Sequence, residues 1–517
     1  MESHRILDMI SSPADLKLLT NEELSILASE IREQIITTTS KTGGHVAPSL
    51  GVVELILACH SVLDCPHDKL LFDVGHQSYA HKLVTGRLGE FDTLRQFGGM
   101  SGFPKASESE YDVHPSGHAS DSVSVALGLA MARDLNGGDE KIVTIIGDAS
   151  LSGGMAFEAL NQLGQLQTPM VIILNDNEMS ISRNVGALAR YLGEKRASRE
   201  YTRTRDSVQS ALEASGPLGR GLVDLGRNAK DSFKQMVIPG EMLFEKLGIT
   251  CTAPIPGHDI AALKRALRVC LEADGPTLLH VVTKKGKGYE PAEENPSKFH
   301  GIGPYDIATG EVKKGPNSAP KYTSVFSKAI VAEAERDHDI VAITAAMKDG
   351  TGLAAFSEKF PKRFIDTGIA EEHAVALASG LALGGKKPVV CIYSTFMQRA
   401  FDQLVINNAL ANTNVVFCLD RAGLVGDDGP THHGVFDIAY GRMVPGVRMM
   451  APSDEAELVH MLHTALALEG PVILRWPRGE ARGVELPAAP QVLEEGKSRT
   501  TREGSDVAIL AFGRMMQ

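Results

Sequence analysis

Two stretches decide the fold: Ile142-Val143-Thr144-Ile145-Ile146-Gly147-Asp148-Ala149-Ser150 and Met170-Val171-Ile172-Ile173-Leu174-Asn175-Asp176-Asn177. Each is a short apolar run closed by a Gly/Asp/Asn turn. Runs of this length read as strands buried on both faces, which belong to parallel sheets covered by helices. In such a sheet ligands bind at the carboxyl ends of the strands. The interval from position 148 to position 177 holds one helix and one strand, so it sets the Asp148 carboxylate beside the Asn177 amide. Mg²⁺ favours a site of this kind, with one or two side-chain oxygens, a backbone carbonyl (here that of Met179), a water and two diphosphate oxygens. Turn chemistry is the alternative, because Asp and Asn favour turns without any ligand.

The chain around these stretches has 517 residues, enough for two or three domains. A net charge of −12 weighs against a nucleic-acid partner. The six cysteines are scattered and form no C-x-x-C pair, so they read as reduced thiols. No apolar stretch reaches the length of a membrane span and no signal-peptide h-region follows Met1, so the expected compartment is the cytoplasm.

Outward from the central strands, residues 1–315 read as one α/β unit. It has a helix at 16–39 with Thr20 and Glu23 in capping-box spacing, a strand at 69–74, an Ala-rich helix at 122–135 and a strand at 277–283. Residues 183–240, rich in Arg, Lys and Gly, read as a mobile, partly helical insertion. Residues 304–320 read as a linker. A second α/β unit follows over 316–490, with strands at 340–344, 388–393, 415–420 and 472–476. Residues 491–517 read as a second linker, then at 506–512 the first strand of a third α/β domain that is otherwise missing, so the chain reads as truncated. The expected fold class is α/β, with two doubly wound parallel-sheet domains.

Several residues punctuate strand ends and helix starts. Gly43-Gly44-His45, Asp73-Val74-Gly75-His76 and Ser116-Gly117-His118-Ala119-Ser120 each place a histidine beside a turn, where anion contact or proton transfer is possible. A turn histidine that caps a helix is the alternative for each. Lys284-Lys285-Gly286-Lys287-Gly288-Tyr289 follows a strand, and reads either as a phosphate contact or as a solvated turn. His300 carries no signal of its own.

In the second unit Glu371 and Glu372 open an Ala/Gly-rich helix. Serving only the helix dipole is one reading. Glu371 is also the candidate for a water-shielded, protonated carboxyl that donates to an aminopyrimidine. Phe396 is placed to stack on such a ring, or else is a core side chain. Arg421 and Arg478, each at the end of a strand, suit a bidentate grip on a phosphate, or else are surface arginines.

These motifs resemble the 1-deoxy-D-xylulose-5-phosphate synthase family of thiamine diphosphate enzymes. The resemblance is carried by the Gly147–Asn177 signature, Asp73-Val74-Gly75-His76-Gln77-Ser78-Tyr79, Gly98-Gly99-Met100-Ser101-Gly102-Phe103-Pro104-Lys105 and Asp420-Arg421-Ala422-Gly423. It implies a transketolase-like fold and decarboxylation of pyruvate with condensation onto D-glyceraldehyde 3-phosphate. The product would feed isoprenoid, thiamine and pyridoxal synthesis. It further implies thiamine diphosphate and Mg²⁺ as cofactors, and a homodimer. Asp148, Asn177 and the Met179 carbonyl would hold the metal. His76, Gly117, His118, Ala119, Ala149, Ser150, Tyr289, Glu371 and Phe396 would line the cofactor, with Asp148 and Asn177. His45, His300, His432 and Glu371 would be catalytic, and Tyr393, Arg421, Asp428, His432 and Arg478 would bind the acceptor. The sequence departs from the family pattern at Ala149, where Gly is usual, at Ala119 and Asp121, and at Pro256. Another transketolase-like transferase, or an inactive cofactor-binding fragment, are the alternative readings.

Overall fold

The computed structural model describes residues 5–177, 185–197, 243–313 and 319–516. It divides into two compact units, Met1–Lys313 and Lys314–Gln517. Met179 and most of the expected insertion (183–184 and 198–240) lie outside the described residues. Within that insertion a helix, Ala187–Ala197, is described.

The first unit is a parallel sheet with helices packed on it. Its strands are β1 (Lys69–Phe72), β2 (Ile142–Gly147), β3 (Val171–Asp176), β4 (Thr250–Cys251), β5 (Ile255–Pro256) and β6 (Thr277–Val282), in the order β1-β2-β3-β6-β4, with β5 also on β6. Val143 pairs with Val171 and Ile173 with Leu279, so the apolar runs are the central strands. Every residue of β3 is buried, as a strand covered on both faces requires. The very short β4 and β5 gave no alternating or continuous apolar signal in the sequence. Pro256 is tolerated in β5 because that strand lies at the sheet edge.

The expected helix at 16–39 is Asn21–Thr42, preceded by a separate turn, Pro13–Leu16. Thr20 sets the start: the Glu23 amide donates to its Oγ1 (3.2 Å) and its own amide donates to Glu23 Oε2 (2.8 Å). Leu24, Leu27, Ile31 and Ile35 then bury one face. The expected linker from 304 is, up to Lys313, part of this unit. Tyr305 is fully buried and its hydroxyl donates to the Ile36 carbonyl (3.2 Å), which ties the segment to the long helix.

The second unit has strands β7 (Ile340–Thr344), β8 (Phe364–Asp366), β9 (Lys387–Tyr393), β10 (Val416–Asp420), β11 (Arg448–Met450) and β12 (Val472–Arg475), all parallel, in the order β11-β12-β10-β9-β7-β8. The order reverses between β7 and β9, and such a switch point opens a crevice at the strand ends. The segment at 506–512, expected as a strand, forms none. It has no ladder partner among the described residues, and Val507, Ile509 and Leu510 stand exposed. Local β pattern does not make a strand without a neighbour to bond.

All six cysteines are free, and no helix among the described residues is long and apolar enough to cross a membrane.

Candidate active site

In the first unit β2 and β3 deliver Asp148 and Asn177 to neighbouring strand ends, and the Asp148 amide donates to the Asn175 carbonyl (3.3 Å). Behind them, Thr283 Oγ1 donates to Asn175 Oδ1 (2.6 Å) and a buried His280–Asp176 pair closes at 2.9 Å. Both strand ends are therefore fixed from below. Ala149 has φ −68°, a conformation open to any L-residue, so its methyl group needs no strain where glycine is usual.

The Gly117-His118-Ala119-Ser120 turn is drawn to the same edge. The buried Asp73 carboxylate accepts from the amides of Ser120 (2.9 and 3.0 Å) and Ser122 (3.2 Å), and Ser120 Oγ donates to the Ser150 carbonyl (2.7 Å). Ser116 Oγ donates to the Val74 carbonyl (2.8 Å). Val74 has φ 60°, an outlier for a β-branched side chain, two positions before His76.

Three histidines far apart in sequence meet here. Ring centroids are 5.7 Å apart for His45 and His76, 5.0 Å for His76 and His300, and 6.1 Å for His45 and His300. Phe103 lies 5.2 Å from His45, and Tyr79 Oη accepts the His45 amide (3.0 Å). Burial, then the nearby Lys285 charge, hold His300 well below the usual imidazole value, so it is neutral. Lys285 Nζ lies 3.1 Å from His300 Nδ1 and donates to it, which leaves the proton of that ring on Nε2. Burial brings Lys285 down to about 8, against the upward pull of Asp148. Lys285 is thus no solvated turn residue. The sequence hint was its place just past the end of β6. Tyr289 is buried, with its hydroxyl donating to the Ile307 carbonyl (2.8 Å).

In the second unit, Glu371 starts the helix Glu371–Leu383 and is buried. A helix N-terminus favours the carboxylate. Burial outweighs that and pushes Glu371 up to about 7, although Arg399 Nη1, 3.5 Å away, pulls the other way. At the end of β9, Tyr393 stacks on Phe396 (5.8 Å), and Phe396 meets His432 edge-on (5.5 Å). Arg421, at φ 60° beyond β10, lies over the Tyr393 ring (4.2 Å), pairs with Asp420 (2.8 Å) and donates to the Gly350 carbonyl (2.7 Å). A Cβ at position 350 would sit 2.3 Å from the Tyr393 hydroxyl, so any larger residue there has to displace that ring. Arg478 donates to the Val425 carbonyl (3.1 Å) and to Asp428 (3.2 Å). The structure therefore gathers Glu371 with Arg399, and Tyr393, Phe396, His432, Arg421, Asp428 and Arg478 around the ends of β9, β10 and β12. Arg399 and Gly350 had no singular sequence signal, and Phe103 and Tyr79 stood out only as members of the motifs that carry the resemblance.

A family model described as 1-deoxy-D-xylulose-5-phosphate synthase matches residues 7–283, and one described as transketolase, pyrimidine binding domain, matches residues 318–484. The 1-deoxy-D-xylulose-5-phosphate synthase of Syntrophomonas wolfei is 52% identical over 510 residues, covering 98% of this chain and 79% of that protein. That of Desulforudis audaxviator is 52% identical over 511 residues, covering 99% and 80%. Among solved structures, a transketolase from Leishmania mexicana aligns with 88% of this chain and 77% of that one, at 17% identity and a TM-score of 0.38.

Two parallel-sheet units with these strand-end sites define a transketolase-like transferase that works with thiamine diphosphate. Within that class the chain belongs to the 1-deoxy-D-xylulose-5-phosphate synthase family. Its reaction decarboxylates pyruvate and condenses the remaining two carbons with D-glyceraldehyde 3-phosphate.

Proposed function

We propose that residues 1–315 hold the diphosphate and Mg²⁺, and that residues 316–490 hold the aminopyrimidine and the acceptor phosphate. The observation that carries this reading is the buried Glu371 carboxyl, raised to about 7, so that it can keep a proton at neutral pH and donate it. Thiamine diphosphate, when bound, supplies the carbon at which pyruvate loses CO₂.

The chain's own residues do the rest. Asp148 and Asn177 are hard oxygen donors on adjacent strand ends, which suits Mg²⁺ better than a softer metal; the Met179 carbonyl would complete their set. Gly117, His118, Ala119, Ala149 and Ser150 would line the diphosphate, with His76 and Tyr289. Glu371 would donate to the aminopyrimidine and Phe396 would pack on its ring. His45 and the neutral His300 move protons at the donor carbonyl, and Lys285 fixes the His300 tautomer. Arg421 and Arg478, already oriented by carbonyl and carboxylate partners, keep further N–H donors for the acceptor phosphate, with Tyr393, Asp428 and His432 at its hydroxyl groups. The enzyme acts in the cytoplasm as a homodimer bound to Mg²⁺, and its product feeds isoprenoid, thiamine and pyridoxal synthesis.

The test is CO₂ release from pyruvate by the purified chain with thiamine diphosphate and Mg²⁺. Release should rise when D-glyceraldehyde 3-phosphate is added, with a pentulose phosphate formed. Transfer from a ketose donor with no CO₂ would sink the reading.

A further inference from the structure

Behind the loop that carries Lys285 and Tyr289, three residues from distant parts of the first unit converge. Glu54 and Arg32, on the helices Val53–Val62 and Asn21–Thr42, form a buried pair at 2.6 Å. His258 stands on the other side of the same carboxylate, with its Nδ1 3.0 Å from Glu54 Oε2. Its Nε2 accepts the backbone N–H of Lys284 (2.9 Å). An imidazole that accepts on Nε2 must carry its proton on Nδ1, so His258 donates to Glu54 and its tautomer is fixed. Arg32 reaches the same loop from below. Its Nε donates to the Lys287 carbonyl (2.9 Å) and its Nη2 to the Leu50 carbonyl (3.2 Å). Gly288, at φ +84°, leaves room for this, since a Cβ there would lie 2.9 Å from Arg32 Cδ.

The loop is thus held by its backbone at positions 284 and 287, on either side of the Gly286 turn, and neither contact uses a side chain of the loop itself. Lys285 lies between them. Its side chain runs to His300. Burial alone would push Glu54 up, but the hydrogen bonds from His258 and Arg32 hold it down at about 2, so the carboxylate that anchors both clamps stays charged.

We infer that Glu54 and His258, with Arg32, form a positioning clamp that sets the place of Lys285 against His300 by holding the backbone of residues 284–287. The inference rests on the reading that Lys285 and His300 serve the reaction. His258 touches neither, and acts only through the Lys284 amide.

The experiment compares His258→Asn and His258→Gln with the parent chain and with Lys285→Ala. Asn keeps a donor at the Nδ1 position and removes the acceptor for Lys284, whereas Gln places an amide oxygen near the Nε2 position. Amide hydrogen exchange over residues 283–289 should quicken by about tenfold or more in His258→Asn and stay near the parent rate in His258→Gln. The kcat/KM for pyruvate should fall by about 10- to 100-fold in His258→Asn, mainly in kcat, and recover in His258→Gln. A merely structural role would lower activity and melting temperature together in both variants. Unchanged exchange in His258→Asn overturns the inference, as does an activity loss that Gln does not recover. If His258→Asn exchanges fast but works normally while Lys285→Ala is slow, the clamp alone is wrong. If Lys285→Ala also works normally, the assignment of Lys285 to the reaction falls and the clamp with it.

Discussion

Asp112 in the first unit and Glu371 in the second are buried to the same degree, 2% and 4% exposed, yet they are driven in opposite directions. Asp112 accepts two bonds from Arg87 (2.8 Å each), one from His81 Nε2 (2.9 Å) and one from the Lys105 amide (2.7 Å). Burial works against its charge, but these donors hold it far below the carboxylate range. Among the described residues Glu371 pairs with one cation, Arg399 at 3.5 Å, and burial takes it up to about 7. Burial alone therefore does not say what a carboxyl does. The number and closeness of its donors decide whether it is a strut or a proton carrier. Asp112 is a strut: with Lys82 and Glu108 (2.8 Å) it ties the turn after His76 to the segment that sets Phe103 against His45.

The largest expected effect tests the carrier. Glu371→Gln should lower kcat by about 10²- to 10⁴-fold, the range of a general acid or base. Its thermal midpoint at pH 7 should hold or rise, because no burial cost for a charge remains. An active Glu371→Gln would break the comparison at its functional end. Next is the strut. Asp112→Ala leaves Arg87 and His81 buried without their carboxylate, and should destabilise the chain by about 4 kcal/mol in urea unfolding. A loss below about 1 kcal/mol would mean the network contributes little.

The third effect is a pH dependence of opposite sign in the two carboxyls. Unfolded, Glu371 releases its proton near 4.5; folded, it keeps it to about 7. Between those values folding takes up a proton, so the Glu371 contribution is complete below 4.5 and is lost as pH rises through 7. The stability of Glu371→Gln relative to the parent should thus increase by about 3 kcal/mol from pH 4.5 to 7.5 in the cofactor-free protein. The Asp112 contribution is present above the ordinary carboxylate value of 3.8 and fades only in acid, so Asp112→Ala should show no such slope across that window. Equal slopes in the two variants would contradict the assignment of one charged and one neutral carboxyl.

How far this contrast was legible in the sequence depends on range. The central strands and the placing of Asp148 and Asn177 followed from apolar runs and turn residues, because a buried parallel strand writes its whole environment into a few consecutive positions. Glu371 could be singled out because a glutamate opens a helix of small residues. Lys285 was read both ways, since its side chain is buried and meets His300, fifteen positions further along the chain, which no local pattern announces. The edge strands Phe364–Asp366 and Arg448–Met450 are only half-buried throughout, and so carry no apolar run. The stretch at 506–512 shows the reverse case: it has the local pattern of a strand and lacks the partner that would make it one.

The smallest effect sharpens the comparison most. The Arg399 charge is the larger of the influences that oppose burial at Glu371, ahead of the glutamate's own backbone N–H, and at 3.5 Å it lowers the glutamate only part of the way back from the value burial imposes. Arg399→Met keeps the apolar stem and removes the charge. Glu371 should then titrate about one unit higher than in the parent, worth about 1.4 kcal/mol. Infrared difference spectra across a pH titration would read this directly from the carboxyl stretch that Glu371→Gln abolishes. The window of pH-dependent stability should extend upward by the same amount while its lower end stays at the unfolded value, with kcat at neutral pH little changed, since the proton is kept more firmly where it is already in place. A downward shift, or none, would mean that donors other than Arg399 set the Glu371 proton, and that the difference between the two carboxyls is not a matter of counting close cations.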